Sequence, residues 1–201
     1  MHIFLQGDRG IGKSTVIRRT LDMLESRPGF KLGGFFTWNG GADDPNIYMR
    51  AAQAGSATAQ ASSATAQADS ATAQAGLGTA GALAGEGVIH RVAAYDASKR
   101  RMVCDTQVFE TFGAQILLDS AGADLIIMDE LGYLESSAEE FKKAVMETLA
   151  GHTPVLGVLR LGDVPWHESI KNSPRVKIFD VNEETRGMLP QVLTDAILVC
   201  N

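Results

Sequence analysis

Residues 7–15 read "GDRGIGKST", directly behind "MHIFLQ" (1–6). The glycines remove side chains where the backbone must turn tightly. Lys13 adds one positive charge, and Ser14 and Thr15 add hydroxyls. Gly7, Gly12, Lys13 and Ser14 stand in the spacing G-x-x-x-x-G-K-[ST]. With that spacing, successive backbone N–H groups point inward at an anion, and a helix opening near Lys13 adds the positive end of its dipole. The flanks agree. "HIFLQG" (2–7) reads as a buried strand. "KSTVIRRTLDMLES" (13–26) reads as a helix with Val16, Ile17, Leu21 and Leu24 near helical spacing, stopped by "RPG" (27–29). A plain glycine-rich turn would leave both flanks unexplained.

The whole turn, Gly7, Asp8, Arg9, Gly10, Ile11, Gly12, Lys13, Ser14 and Thr15, is therefore the expected phosphate cradle. The spacing assigns Lys13 to the β- and γ-phosphates of a nucleoside triphosphate and the Ser14 hydroxyl to Mg²⁺. Such a cradle needs an acidic partner at the end of another buried strand, and "LIIMDE" (125–130) supplies one. Asp129 is expected to hold the metal, mostly through water, and Glu130 to orient or deprotonate an attacking water. Alone, a "DE" after an apolar run is a solvated strand end; paired with the cradle it becomes half of a site.

Further strands are expected at "KLGGFFTW" (31–38), at "TPVLGVLR" (153–160), at "RVKIFDV" (175–181) and on both sides of the polar turn "DASKR" within 87–105. Helices are expected over 106–122, 137–151, 164–172 and 183–198, with Ser137 and Glu140 as the capping pair of the second and Gly151 at its end. Strands alternating with helices imply an α/β fold of three layers, a mainly parallel sheet between helices with a small hairpin addition. Residues 51–85 break the pattern, with Asp69 as their one charged side chain and no aromatic. Three tandem heptads, "GSATAQA", "SSATAQA" and "DSATAQA" (55–75), lie inside. They offer no large apolar residue for a coiled-coil seam. A mobile insertion in a single domain over 1–201 is the expectation.

The remaining totals mostly exclude. A net charge of −6 argues against a broad basic surface for nucleic acid. Cys104 and Cys200 lie far apart, which suggests reduced thiols, and the four histidines show no ligand spacing. No run approaches the roughly 18–20 apolar residues of a membrane helix, and no signal peptide is visible. A cytoplasmic protein without a membrane partner is expected.

Other segments narrow the reading. "IIMDELGYLE" (126–135) resembles the "IDEIGxME" stretch of the small nucleoside-triphosphatase family first described from thermophiles and also present in animals. "GGFFT" (33–37) resembles its "GFxT", and "FDVNEETRGMLPQVL" (179–193) resembles its "V-T-x-E-N-R-x-x-L" segment. The resemblance covers the chain except the alanine-rich stretch and its edges. It implies an α/β/α P-loop domain that hydrolyses ATP, GTP and other nucleoside triphosphates to diphosphates with Mg²⁺. It also implies that Lys13 and Ser14 match the phosphate lysine and metal hydroxyl, Asp129 and Glu130 the acidic pair, Glu135 a later glutamate and Arg186 an arginine near the last strand. Lys13, Glu130 and Arg186 are thus the expected catalytic residues, and Ser14 and Asp129 the metal ligands.

Two departures stand out. "WNGGADD" (38–44) carries no arginine where the family often has one, which leaves Arg50 or Arg91 as replacements. The family's threonine is Asn182 here, and its asparagine is Thr185. Several residues carry two readings: Arg186 at phosphate or base, or on a helix face; Glu135 behind the site, or in a solvated loop; Arg9 on phosphate, or in solvent. Trp38 reads as packing more readily than as a base platform, Met102 and Met128 as core, and Lys99, Arg100 and Arg101 as a solvated turn. A small-molecule or nucleotide kinase and a non-catalytic nucleotide switch remain as alternatives. No arginine-rich lid is evident in "LGDVPWHESIKNSPR" (161–175), and no N-K-x-D base-reading motif is present.

Overall fold

The computed structural model describes residues 1–53 and 88–199. Eight strands form one sheet in the order β5-β4-β3-β2-β6-β7-β1-β8. They are β1 (His2–Gln6), β2 (Leu32–Asn39), β3 (Ile47–Ala51), β4 (Ile89–Asp96), β5 (Arg101–Cys104), β6 (Leu125–Leu131), β7 (Val155–Leu159) and β8 (Val176–Asp180). β2, β6, β7, β1 and β8 run parallel, while β3, β4 and β5 extend the β2 edge antiparallel.

The helices are α1 (Lys13–Glu25), α3 (Glu139–Ala150), α4 (His167–Lys171) and α5 (Leu189–Leu198), together with the composite α2. α2 starts as Thr106–Val108, widens to a π-turn over Phe109–Gly113 and resumes as Ala114–Asp119. No helix among the described residues is long and apolar enough to cross a membrane.

Strand alternation sorts the core into two layers. Ile3, Leu5, Ile127, Leu156 and Val158 meet Val16, Ile17, Leu21 and Leu24 of α1 and Leu193 and Ile197 of α5. Phe4, Phe35, Ile126 and Met128 meet Phe109 and Leu117 of α2 and Phe141 and Val145 of α3 on the other face. Two glycines are demanded by close approach. A Cβ on Gly157 would stand 2.5 Å from the Phe4 ring, and one on Gly34, where φ is +89°, would collide with the Ile127 carbonyl.

Several elements differ from the sequence reading. β3 is an additional strand, joining the expected hairpin β4–β5 to β2. Ala51 belongs to β3, and the Ala52 N–H bonds the Gly34 carbonyl at 2.7 Å, so the sheet reaches into the alanine-rich composition. The expected insertion otherwise lies outside the described residues. The last helix begins at Leu189 rather than 183, because 182–188 is used as a bonded turn. Ser137 does not cap α3. The Glu110 carboxylate of α2 does so instead, accepting the N–H groups of Glu139 (2.8 Å), Glu140 (2.7 Å) and Phe141 (3.3 Å). The two oxygens of the Glu110 carboxylate answer both the helix dipole and the open N–H groups, which a hydroxyl could do only in part.

Candidate active site

The turn after β1 is built on positive backbone angles: φ is +149° at Gly7, +81° at Gly10 and +110° at Gly12. Gly12 then opens α1 with no side-chain cap and no acidic residue in the first turn. The contrast with α3 is direct. One helix start is closed by a carboxylate, and the other is left open toward a cavity, as an anion site requires. Lys13 Nζ donates to the carbonyls of Gly7 (2.6 Å) and Asp8 (2.9 Å), so the ammonium is held within the cradle.

Asp129 and Glu130 stand near the carboxyl end of β6, and with the turn they line one cavity of about 750 Å³. Of the expected cradle residues, all but Ile11 line it. Asp129 is buried, with the Ser14 hydroxyl beside its carboxylate. Burial pushes its carboxyl up to about 7; the neighbouring Glu130 charge adds to this, while Ser14 and Lys13 oppose it. Thr37, at the end of β2, accepts the Glu130 N–H at 3.0 Å and donates to the Asp129 carbonyl at 3.1 Å, fixing the strand end between the two carboxylates. A buried carboxylate beside a hydroxyl, opening on that cavity, is an oxygen donor set suited to Mg²⁺, which commonly takes one or two carboxylates plus waters and substrate phosphates.

Arg186 is brought alongside the cradle, since a Cβ on Gly12 would meet its Cδ at 4.0 Å. Glu135 is buried rather than solvated, 3% exposed, and its carboxylate takes the Gly132 N–H. The Trp166 indole donates to the Gly132 carbonyl at 3.0 Å, so both backbone polar groups of Gly132 are held. Burial raises Glu135 to about 7, with the Gly132 N–H pulling the other way. Arg9 is exposed at the cavity rim. Lys99 pairs with Asp96 at 3.2 Å in the solvated turn.

Arg160 was not singled out by the sequence. It directly follows β7, lines the cavity and lies 3.4 Å from Glu130, with its guanidinium 4.9 Å from the Tyr133 ring. Its signal was its place, directly after the apolar run "VLGVL" at the carboxyl edge of a parallel sheet, where such folds bind ligands. Arg50 and Arg91, the expected replacements, are not among the cavity's lining residues, whereas Trp38 and Met102 are. Arg50 stands 5.8 Å from the Trp38 ring, and the Arg91 charge acts on Asp44 and Tyr48.

A family model described as NTPase matches residues 77–194. A nucleoside-triphosphatase THEP1 from Methanosarcina barkeri is 30% identical, over 94% of this chain and 93% of its own. The chain belongs to this nucleoside-triphosphatase family. The human cancer-related nucleoside-triphosphatase is 27% identical over 96% of this chain and 95% of its own. The crystal structure of THEP1 from Aquifex aeolicus superposes with a TM-score of 0.67 at 18% identity, covering 98% of this chain and 99% of that one. A solution structure of a human cancer-related nucleoside triphosphatase gives 0.64 at 22%, covering 97% and 96%. These likenesses support the three-layer fold with its mainly parallel sheet. Membership in the nucleoside-triphosphatase family agrees with the cavity, whose floor joins an open helix start to two carboxylates.

Proposed function

We propose that the protein hydrolyses nucleoside 5′-triphosphates, ATP and GTP among them, to diphosphate and phosphate with Mg²⁺. The observation that carries this is the meeting of the Lys13 cradle with Asp129 and Glu130 on one cavity, with Ser14 beside Asp129. Ser14 and Asp129 would hold the metal. Bound there, Mg²⁺ supplies charge neutralisation at the phosphate oxygens.

The chain's own residues do the rest. The open start of α1 and the glycine-turn N–H groups receive the phosphates. Lys13 exchanges its two carbonyl partners for β/γ oxygens. Glu130 orients the attacking water and accepts its proton as the water oxygen bonds to the γ-phosphorus and the bond to the β–γ bridging oxygen breaks. Arg160, weakly paired to Glu130 while 41% exposed itself, is free to turn to the γ-phosphoryl oxygens. Arg186 follows β8, on the side of β1 away from Arg160, and would meet the nucleoside end of the triphosphate.

Steady-state phosphate release from ATP, GTP, CTP and UTP, with Mg²⁺ and with chelator, tests the reading. Free phosphate that appears only with the metal supports it. Phosphate retained on an acceptor, or tight binding without turnover, refutes it.

A further inference from the structure

The cavity, about 750 Å³, extends beyond the residues that water attack requires. Its far wall is lined by Trp38, Asn39, Pro45, Ile47, Tyr95 and Met102, with no charged side chain among them. We propose that this wall is a second subsite that takes a neutral planar heterocycle of nucleobase size, past the γ-phosphate of the bound triphosphate. The proposal rests on the nucleotide reading above.

The sheet order sets the direction. Asp129 and Glu130 on β6 mark the γ-phosphate side, and the Arg186 turn follows β8 on the other side of β1. A triphosphate lying across the cradle with its γ end toward β6 sends its own nucleoside toward β8. Trp38 stands in β2, three strands from β1 in the opposite direction, about 14 Å at the usual strand spacing. The substrate's own base therefore points away from the wall.

The wall is also organised in advance. Trp38 stacks on its cross-strand partner Tyr48 with centroids 5.9 Å apart and ring planes at 26°, and the Arg50 guanidinium stands 5.8 Å from the same indole. Tyr95, on this wall, is 42% exposed, and Tyr133 and Leu161, elsewhere on the cavity lining, are 45% and 48% exposed. Large apolar groups left to water around one cavity mark a ligand surface. An indole plane accepts the face of any base. The six wall residues carry no charge of their own, which favours a neutral ring over a second phosphate.

Calorimetric titration tests this on the full chain saturated with Mg²⁺ and β,γ-methylene-ATP, with adenosine and guanosine as probes. Saturable binding in the presence of the analogue is expected. Trp38→Ala should weaken it about tenfold or more, the effect of losing one base–aromatic stack; Trp38→Phe should keep most of it. Tyr95→Ala, an exposed change on β4, should weaken it several-fold and serves if Trp38→Ala fails to fold. Binding seen only without the analogue means that the wall holds the substrate's own base, and the proposal falls. It falls equally if no saturable binding occurs, or if folded Trp38→Ala or Tyr95→Ala binds like the parent. Phosphate release from ATP, followed separately, reports on hydrolysis: its failure removes the hydrolase reading, while the titration still decides the subsite.

Discussion

His167 offers a quantitative test of the packing beneath the site. It opens α4, is 1% exposed, and neither ring nitrogen has a hydrogen-bond partner among the described residues. The Trp166 ring, whose indole secures Gly132, lies 5.0 Å away. Burial pushes the His167 pKa down from 6.5 to about 4; Lys171 adds to the shift and Glu168 opposes it. A folded pKa below the unfolded one means that the unfolded chain binds the proton first. The stability tied to a neutral ring is therefore intact above pH 6.5 and drains as pH falls toward 4. Between pH 7.5 and pH 5 the loss works out at about 2 kcal/mol, at about 1.4 kcal/mol per pKa unit. His167→Leu removes the titration and the two unpaired nitrogens. At pH 7.5 the variant should lie within about 1 kcal/mol of the parent. At pH 5 its relative stability should rise by about 2 kcal/mol. Urea unfolding of both proteins at both pH values measures this. The difference between them cancels the other buried titrations, including His2, also lowered to about 4, and Glu135, raised to about 7. A parent–variant difference that stays constant between the two pH values would refute the argument.

The site and its supports yield further expectations. Lys13→Ala should abolish most phosphate release in a steady-state assay, because it removes the ammonium held at the centre of the cradle. Asp129→Asn should weaken Mg²⁺-dependent nucleotide binding, whereas Glu130→Gln should bind normally and cleave slowly; equal binding losses in a titration would argue against Glu130 as the base. Glu110→Ala strips three N–H groups at the start of α3 of their acceptor and should cost about 1–2 kcal/mol in denaturant unfolding.

The parallel core and the cradle were legible because each depends on local signals. "HIFLQ" and "LIIMD" are apolar runs of strand length, and the glycine spacing before Lys13 has one common use. What stayed hidden depends on contacts distant in sequence. Glu110 caps a helix about 30 residues away, so no local pattern around "SSAEE" (136–140) could reveal it. β3 is short and sits in "NIYMRAA" (46–52), where the strand pattern merges into alanine. Arg160 looked like the polar end of a strand until the sheet order set β7 between the cradle strand and the carboxylate strand. Glu135 kept two readings because its partner, the Gly132 N–H, is backbone.

The exchanged pair at 182 and 185 shows how a departure from the family pattern can leave its purpose intact. Asn182 Oδ1 accepts the N–H groups of Glu184 at 3.0 Å and Thr185 at 2.8 Å. The Thr185 hydroxyl accepts the Asn182 N–H at 3.0 Å and donates to the Asp180 carbonyl at 2.9 Å. Both side chains carry an acceptor short enough to bond backbone two or three residues away, and each can stand at either position of such a turn. What the turn must do is leave β8, close within a few residues and place Arg186 against Gly12. Asn182→Ala would take the acceptor from two N–H groups at once, while Thr185→Val would break the link back to β8. Each should loosen the Arg186 turn while leaving the Lys13 and Asp129 contacts untouched. A rise in KM for the triphosphate with kcat little changed is expected. Loss of kcat at unchanged KM in both variants would show that the turn serves the cleavage step rather than the nucleoside end.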